Sequence, residues 1–200
     1  MSESYQGVKF NTVMLGEEIP QHDFLPGLKH WCALFHELGL APAYPGGSYG
    51  NLSFRIREGE NAFIITGTGT SLEDCSGDDR FVEVADYDPT SNTIYARGAR
   101  CPSSESILHF SLYAERPEIN AVFHGHSPEI LGAAPSLGIP VTEKEEPYGS
   151  SELALAVVQL AKHTPFLIAR NHGFFSLGKG LEDAGTQTLD VLMQTHPNIK

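Results

Sequence analysis

Between residues 52 and 97 the chain carries four short apolar runs, most of them joined by links too short to hold a helix. "LSFRIR" (52–57) alternates strictly, with Leu52, Phe54 and Ile56 on one face and Ser53, Arg55 and Arg57 on the other, the pattern of a half-buried strand. "AFIIT" (62–66) comes next and ends in the turn "GTGTS". "FVEV" and "TIYA" are two more strands, separated by "DYDPTSN", a long hairpin connection. Strands joined by hairpins run antiparallel, because a parallel pair needs a crossover of roughly a dozen residues or more. This block restricts the fold more than any other feature: it demands a sheet that is largely antiparallel or mixed.

Helical patterns surround it. Leu25, Leu28, Trp31, Leu34, Phe35 and Leu38 recur at helical spacing, and Gly39 supplies a stop. "PSSESILHFSLYAERP" switches to helix, with Ser103 or Ser104 as the cap and Pro117 just past its end. "INAVFH" is a buried strand. "SSELALAVVQLAKH" is a further helix, with Leu153, Ala156, Val157 and Leu160 on one face. "PFLIARN" and "FFSLG" are strands around a turn at His172-Gly173, and a last helix starts near Leu181. About seven strands with helices at both ends and in the middle predict an α/β layered domain. Residues 1–22 show no clear periodicity and are expected to form a loose arm ahead of a single domain over 23–200.

Composition narrows the function. At 40% hydrophobic the chain can bury a core, and no apolar stretch approaches a membrane span. The start, "MSESYQGVKF", has neither the basic nor the apolar segment of a secretory signal. The cysteines Cys32, Cys75 and Cys101 are scattered and odd in number. Both points fit a reducing, cytoplasmic setting and argue against a thiolate metal site. A net charge of −12 opposes nucleic-acid binding, and an anionic substrate would need a local favourable pocket.

The chemistry-bearing residues begin with "HGHS". His124 and His126 close an apolar strand, and residues two apart on a strand share a face, so one metal ion can take both. The alternative is a pair of solvated or hydrogen-bonded histidines. His172 in "RNHGFF" offers a third imidazole, completing the kind of set that leaves one position of Zn²⁺ open; alone, Asn-His-Gly is an ordinary turn. Ser103 and Ser104 in "PSSE" lie at a helix start, where free N–H groups and the dipole favour an anion such as phosphate. The bland alternative is an N-cap. Glu105 either complements the helix dipole or serves as fourth metal ligand or proton-transfer base. Asn51 of "GNLS" and Thr66 and Gly67 of "ITGTGTS" can donate to the same phosphate. "GTGTSL" is no dinucleotide fingerprint, because Leu72 stands where a small residue belongs, and it lacks a P-loop lysine. His30, His36, His109 and His163 lie on helices as surface or core partners, and His22 and His196 lie near the ends.

Taken in order, "GNLS", "ITGTG", "PSSE", "H…Y…RPEINAVFHGHS", "GSSELA" and "NHGFFSLG" resemble the class II aldolase/adducin family over about residues 28–193. The resemblance implies a central, mainly antiparallel sheet between helical layers and a cyclic homotetramer with sites at subunit interfaces. It implies metal ligands at His124, His126 and His172, with Glu105 as fourth ligand or base, and phosphate contacts at Asn51, Thr66, Gly67, Ser103 and Ser104. The metal is expected to be Zn²⁺ or another divalent ion. The reaction implied is making or breaking a C–C bond in a small phosphorylated sugar through an enediolate, with Glu105 moving the proton.

A dehydratase, decarboxylase or epimerase can use the same site, and an adducin-like scaffold is the non-catalytic alternative. In the family's sugar-phosphate epimerases Asp stands at the position of Glu105, which tilts the reading to lyase chemistry. The segment "SPEILGAAPSLGIPVTEKEEPYG" is shorter than in the family's aldolases, and Tyr148 does not match their loop tyrosine. Their C-terminal tail, with a second tyrosine, has no counterpart after "TLDVLMQTHPNIK".

Overall fold

A computed structural model describes residues 7–196. In chain order its elements are β1 (Asn11–Gly16), α1 (Leu25–Glu37), β2 (Ala43–Tyr44), β3 (Gly47–Ser48), β4 (Gly50–Arg55), β5 (Phe63–Thr66), β6 (Phe81–Asp88), β7 (Thr93–Arg97) and α2 (Ser106–Glu115). Then come β8 (Ala121–Gly125), α3 (Pro128–Leu137), α4 (Ser151–Ala161), β9 (Phe166–Ala169), β10 (Gly173–Gly178) and α5 (Leu181–Thr195). Eight strands form one sheet in the order β1-β7-β6-β5-β4-β8-β10-β9, and β2 pairs with β3 in a separate hairpin. Every neighbouring pair in the large sheet is antiparallel except β1–β7. The mainly antiparallel α/β/α architecture expected from the hairpin-length links is the one observed.

Each face of the sheet has its own core, and strand alternation assigns residues to one or the other. Phe63, Ile65, Val122, Phe175 and Leu177 pack with Leu108, Leu112, Leu153 and Val157 of α2 and α4. Leu52, Phe54, Ile64, Phe123 and Phe174 pack with Leu28, Trp31, Phe35, Ile130 and Ala184 of α1, α3 and α5. Among the described residues no helix is long and apolar enough to cross a membrane.

Four expectations are corrected. Residues 11–16 are not part of a loose arm: β1 adds to the sheet edge, parallel to β7. It lacks period-two apolarity because an edge strand with both faces largely in water has no buried side to mark. The "LSFRIR" strand ends at Arg55 and is buried on both faces, since α2 covers the side bearing Ser53 and Arg55. The segment after His126, to which the sequence pattern assigns no element, holds a helix, α3. Its signals were a Ser127 cap that accepts from the Ile130 N–H at 3.3 Å and Gly138 at φ 65°, but Gly132 and Pro135 inside it hid the pattern. Finally, α2 begins one residue after Glu105, and neither Ser103 nor Ser104 is its N-cap. The α4 face is also rotated slightly: Leu153, Ala154, Val157, Val158 and Ala161 are its buried residues.

Where α5 crosses α1, a side chain has no room. A Cβ on Gly185 would lie 2.3 Å from the Trp31 ring. Gly185→Ala is therefore expected to destabilise the fold by about 1–3 kcal/mol through overpacking. Denaturant unfolding followed by Trp31 fluorescence checks this; an unchanged midpoint would mean that α5 shifts without cost.

Candidate metal centre

The central strand β8 sits between β4 and β10, with His124 directly opposite Asn51 on one side and Phe175 on the other. All three side chains therefore emerge on the face covered by α2, whose N-terminus brings in Glu105. His126 follows on the same face, its N–H donating to the Leu40 carbonyl at 2.7 Å. The β9–β10 turn carries His172, with Asn171 at φ 56°. Gly173 has to be glycine here: a Cβ would lie 2.5 Å from the Gly125 carbonyl oxygen and 2.6 Å from the His124 ring. The close approach of β8 and the turn is what lets three rings share one point.

The ligand nitrogens of His124, His126 and His172 lie within 4.8 Å of one another. The His124 and His172 rings are stacked at 5.0 Å, and Phe175 stacks on His124 at 4.3 Å. His124 Nδ1 meets the Phe174 carbonyl at 2.9 Å, and since a carbonyl only accepts, Nδ1 carries the hydrogen. Nε2 is the nitrogen turned toward the cleft. It faces His126 Nε2 at 3.1 Å and Glu105 Oε2 at 3.0 Å. Electron-rich atoms meeting this closely repel unless a proton or cation lies between them, so the donor set fits a metal ion. The carbonyl behind His124 is the kind of outer partner that orients metal-bound imidazoles.

Glu105 is buried, its Oε1 is 2.9 Å from His172 Nε2, and its Oε2 accepts from Asn51 Nδ2 at 3.0 Å. Burial opposes its charge, but His124 and His172 outweigh that and hold the carboxyl well below the usual carboxylate range. Burial, reinforced by His124 and His172 against the pull of Glu105, pushes His126 down to about 2. It stays neutral with a lone pair to offer.

These groups line a cleft of about 370 Å³. The structure brings all the sequence-predicted site residues to it: Asn51, Thr66, Gly67, Ser103, Ser104, Glu105, His124, His126 and His172. No lysine or arginine is among its lining residues, so an anion would be met by hydroxyls and amides. One assignment needs correcting. Gly67 offers no donor of its own, because its N–H is bonded to the Arg80 carbonyl at 2.7 Å. Its lack of a side chain lets the strand end pack close, since a Cβ would sit 3.2 Å from that carbonyl oxygen and 3.3 Å from the Arg100 side chain.

Sequence reading missed the aromatic residues of the wall. Tyr44 ends β2 and Tyr49 follows β3, with their rings 4.7 Å apart, and the Tyr49 ring lies 5.5 Å from that of His126. Tyr148 lines the cleft as well, and its hydroxyl donates to the Gly7 carbonyl at 3.3 Å. The available signal was two tyrosines around "PGG" just before the "GNLS" motif.

A mainly antiparallel α/β/α fold with three imidazoles and a carboxylate at one cleft offers a site that could hold a metal ion within reach of a substrate. Residues 28–192 match the model of the Class II Aldolase and Adducin N-terminal domain, and the chain belongs to that family. It is 31% identical to an L-fuculose phosphate aldolase of Methanocaldococcus jannaschii over 70% of this chain and 78% of the relative. It is also 27% identical to a 3,4-dihydroxyphthalate decarboxylase of Arthrobacter keyseri over 80% of this chain and 71% of that protein. A solved L-fuculose 1-phosphate aldolase superposes with a TM-score of 0.69 at 22% identity, covering 88% of this chain and 84% of the other, a likeness of fold. The aldolases of this family are metal-dependent lyases, and the chain is an enzyme of that class.

His124→Ala is expected to abolish stoichiometric metal binding while leaving the fold in place. Elemental analysis after chelation and metal readdition reads this directly. Full metal occupancy in the variant would sink the three-histidine centre.

Proposed function

We propose that this enzyme is an aldolase that makes or breaks a C–C bond in a small phosphorylated sugar. The observation that carries the reading is the placement of Glu105, an ionised buried carboxylate between the histidine cluster and Asn51 in a cleft walled by hydroxyls. His124, His126 and His172 are the residues that would hold the metal, with Glu105 close enough to serve as fourth ligand or base. Zn²⁺ is the preferred ion, because three imidazoles with an open position suit it. When bound, the ion supplies Lewis-acid stabilisation of negative charge on a carbonyl oxygen.

The remaining work falls to the chain. Asn51 Nδ2 holds one oxygen of Glu105, leaving the carboxylate aimed along a set direction. The depressed carboxyl is ionised at neutral pH and accepts a proton from the carbon next to a carbonyl. Ser103, Ser104, Thr66 and Asn51 are the donors for the phosphate. Fixing the phosphate at one end orients the reacting carbon at the other. A cytoplasmic homotetramer is part of the same reading. Three free cysteines support the compartment, and exposed Val13, Met14 and Leu15 on β1 leave apolar surface for a neighbouring subunit.

Dihydroxyacetone phosphate in deuterated solvent tests the reading without knowledge of the aldehyde. The metal-loaded enzyme should exchange one hydroxymethyl proton of this ketone, seen by proton NMR. Glu105→Gln should slow the exchange by about 10²–10⁴-fold with metal retained. Ser103→Ala with Ser104→Ala should raise KM for the phosphorylated ketone and leave an unphosphorylated analogue unaffected. Exchange that survives intact in Glu105→Gln would remove this residue as the base.

A second reading is favoured by the Tyr44–Tyr49 pair on the cleft wall, the Tyr49 ring beside His126, which suits a planar substrate. It is metal-assisted decarboxylation of an aromatic acid. Release of CO₂ from 3,4-dihydroxyphthalate, with no proton exchange on the ketone phosphate, would select it.

A further inference from the structure

The interface between β4 and α2 is polar where a helix–sheet contact is ordinarily apolar. On β4, Asn51, Ser53 and Arg55 are spaced two apart and face the helix. On α2 and its cap, Glu105, His109 and Tyr113 are spaced four apart and form one stripe. They meet rung by rung. Asn51 Nδ2 donates to Glu105 Oε2 at 3.0 Å. Ser53 Oγ is 2.7 Å from His109 Nδ1 and 2.8 Å from the Tyr113 hydroxyl. The Arg55 guanidinium lies 4.7 Å over the Tyr113 ring and donates to the Tyr113 carbonyl at 2.9 Å.

The rungs stay in step for a geometric reason. Four residues of helix rise about 6 Å and two residues of strand about 6.6 Å, so the two repeats nearly match over this length. All six residues are less than a tenth exposed. At its far end the ladder is tied to the backbone: Arg55 also donates to the Ile119 and Arg116 carbonyls at 2.9 and 3.1 Å and to that of Glu60. At its near end is Glu105, which has no capping bond from its side chain to the helix. Sliding α2 by one turn along β4 would leave several buried polar atoms without partners, a large cost in an interior.

We infer that this ladder is a register lock and that Ser53 and His109 are positioning residues, which set the place of the Glu105 carboxylate without touching substrate. The inference rests on the proposed role of Glu105 as the proton-moving group. Burial pushes His109 down to about 3, so its rung is a neutral hydrogen bond and its strength does not depend on a charge. Asn51 and Glu105 alone leave the carboxylate free to swing with its helix end; the inner rungs remove that freedom.

The test uses the full-length, metal-loaded enzyme and the solvent exchange of dihydroxyacetone phosphate. Ser53→Ala and His109→Leu should keep metal content at wild-type level and KM within about two-fold, while the exchange kcat falls by about ten- to a hundred-fold. His109→Gln, which can restore one bond to Ser53, should recover most of the loss. Ser53→Ala combined with Glu105→Gln should be no slower than Glu105→Gln alone, because both act through one carboxylate. Additive losses, or unchanged kcat in folded Ser53→Ala, overturn the lock. Ser53→Ala removes a single oxygen and keeps the test valid if His109→Leu does not fold.

Crystal structures of the same variants read the position independently of turnover. The lock requires the Glu105 carboxylate to leave its place between Asn51 and His172; an unmoved carboxylate overturns it. If Glu105→Gln itself leaves exchange unaltered, the functional reading fails, and the crystallographic arm still decides the lock.

Discussion

The site depends on the pairing of β8 between β4 and β10. That antiparallel register puts Asn51, His124 and Phe175 in one row across the sheet; Asn51 and His124 line the cleft, and Phe175 backs the His124 ring from the core. Phe175 stacks on the His124 ring, and the Phe174 carbonyl fixes which nitrogen carries the hydrogen. A slip of one residue in either pairing would turn His124 into the opposite core, among Trp31, Phe35 and Phe174. Gly125 and Gly173 make the pairing possible at its narrowest point, where a Cβ on either would strike backbone or ring atoms. The histidine cluster is thus a consequence of sheet geometry before it is one of side-chain chemistry.

Charge at the site is handled locally. The chain carries a net charge of −12, yet among the described residues the cleft has neither lysine nor arginine on its wall to attract an anion. Its anionic group, Glu105, is held in the ionised form by the imidazoles around it, and the remaining polar wall consists mainly of hydroxyls and amides. Such a wall discriminates by direction, because each donor must point at an acceptor, whereas a point charge attracts from any angle. This arrangement suits a substrate with both a phosphate and a carbonyl to be placed at once.

The two cores differ in what they ask of α2. Against the rest of the sheet α2 packs with Leu108 and Leu112, but against β4 it presents the stripe Glu105–His109–Tyr113. Apolar packing tolerates sliding by small amounts, whereas hydrogen bonds at 2.7–3.0 Å do not. Placing the polar seam directly below the carboxylate puts the least tolerant contact where position matters most.

Local pattern and short motifs were enough to predict the antiparallel sheet, the helices α1, α2, α4 and α5, and the candidate ligands His124, His126, His172 and Glu105. Each leaves its mark within a few neighbouring residues: alternation, helical spacing, or a histidine at a strand end. Where the mark was missing, the physical cause is plain. Strand β1 has no buried face to show, and α3 contains Gly132 and Pro135. Only the tertiary structure decided that Ser53 and Arg55 face a helix and not water, that Gly67 has no free N–H, and that Tyr49, with Tyr44 against it, stands beside His126. These facts depend on which distant segment covers a face: α2 lies more than fifty residues from β4 in the chain, and its packing leaves no local trace in the strand it buries.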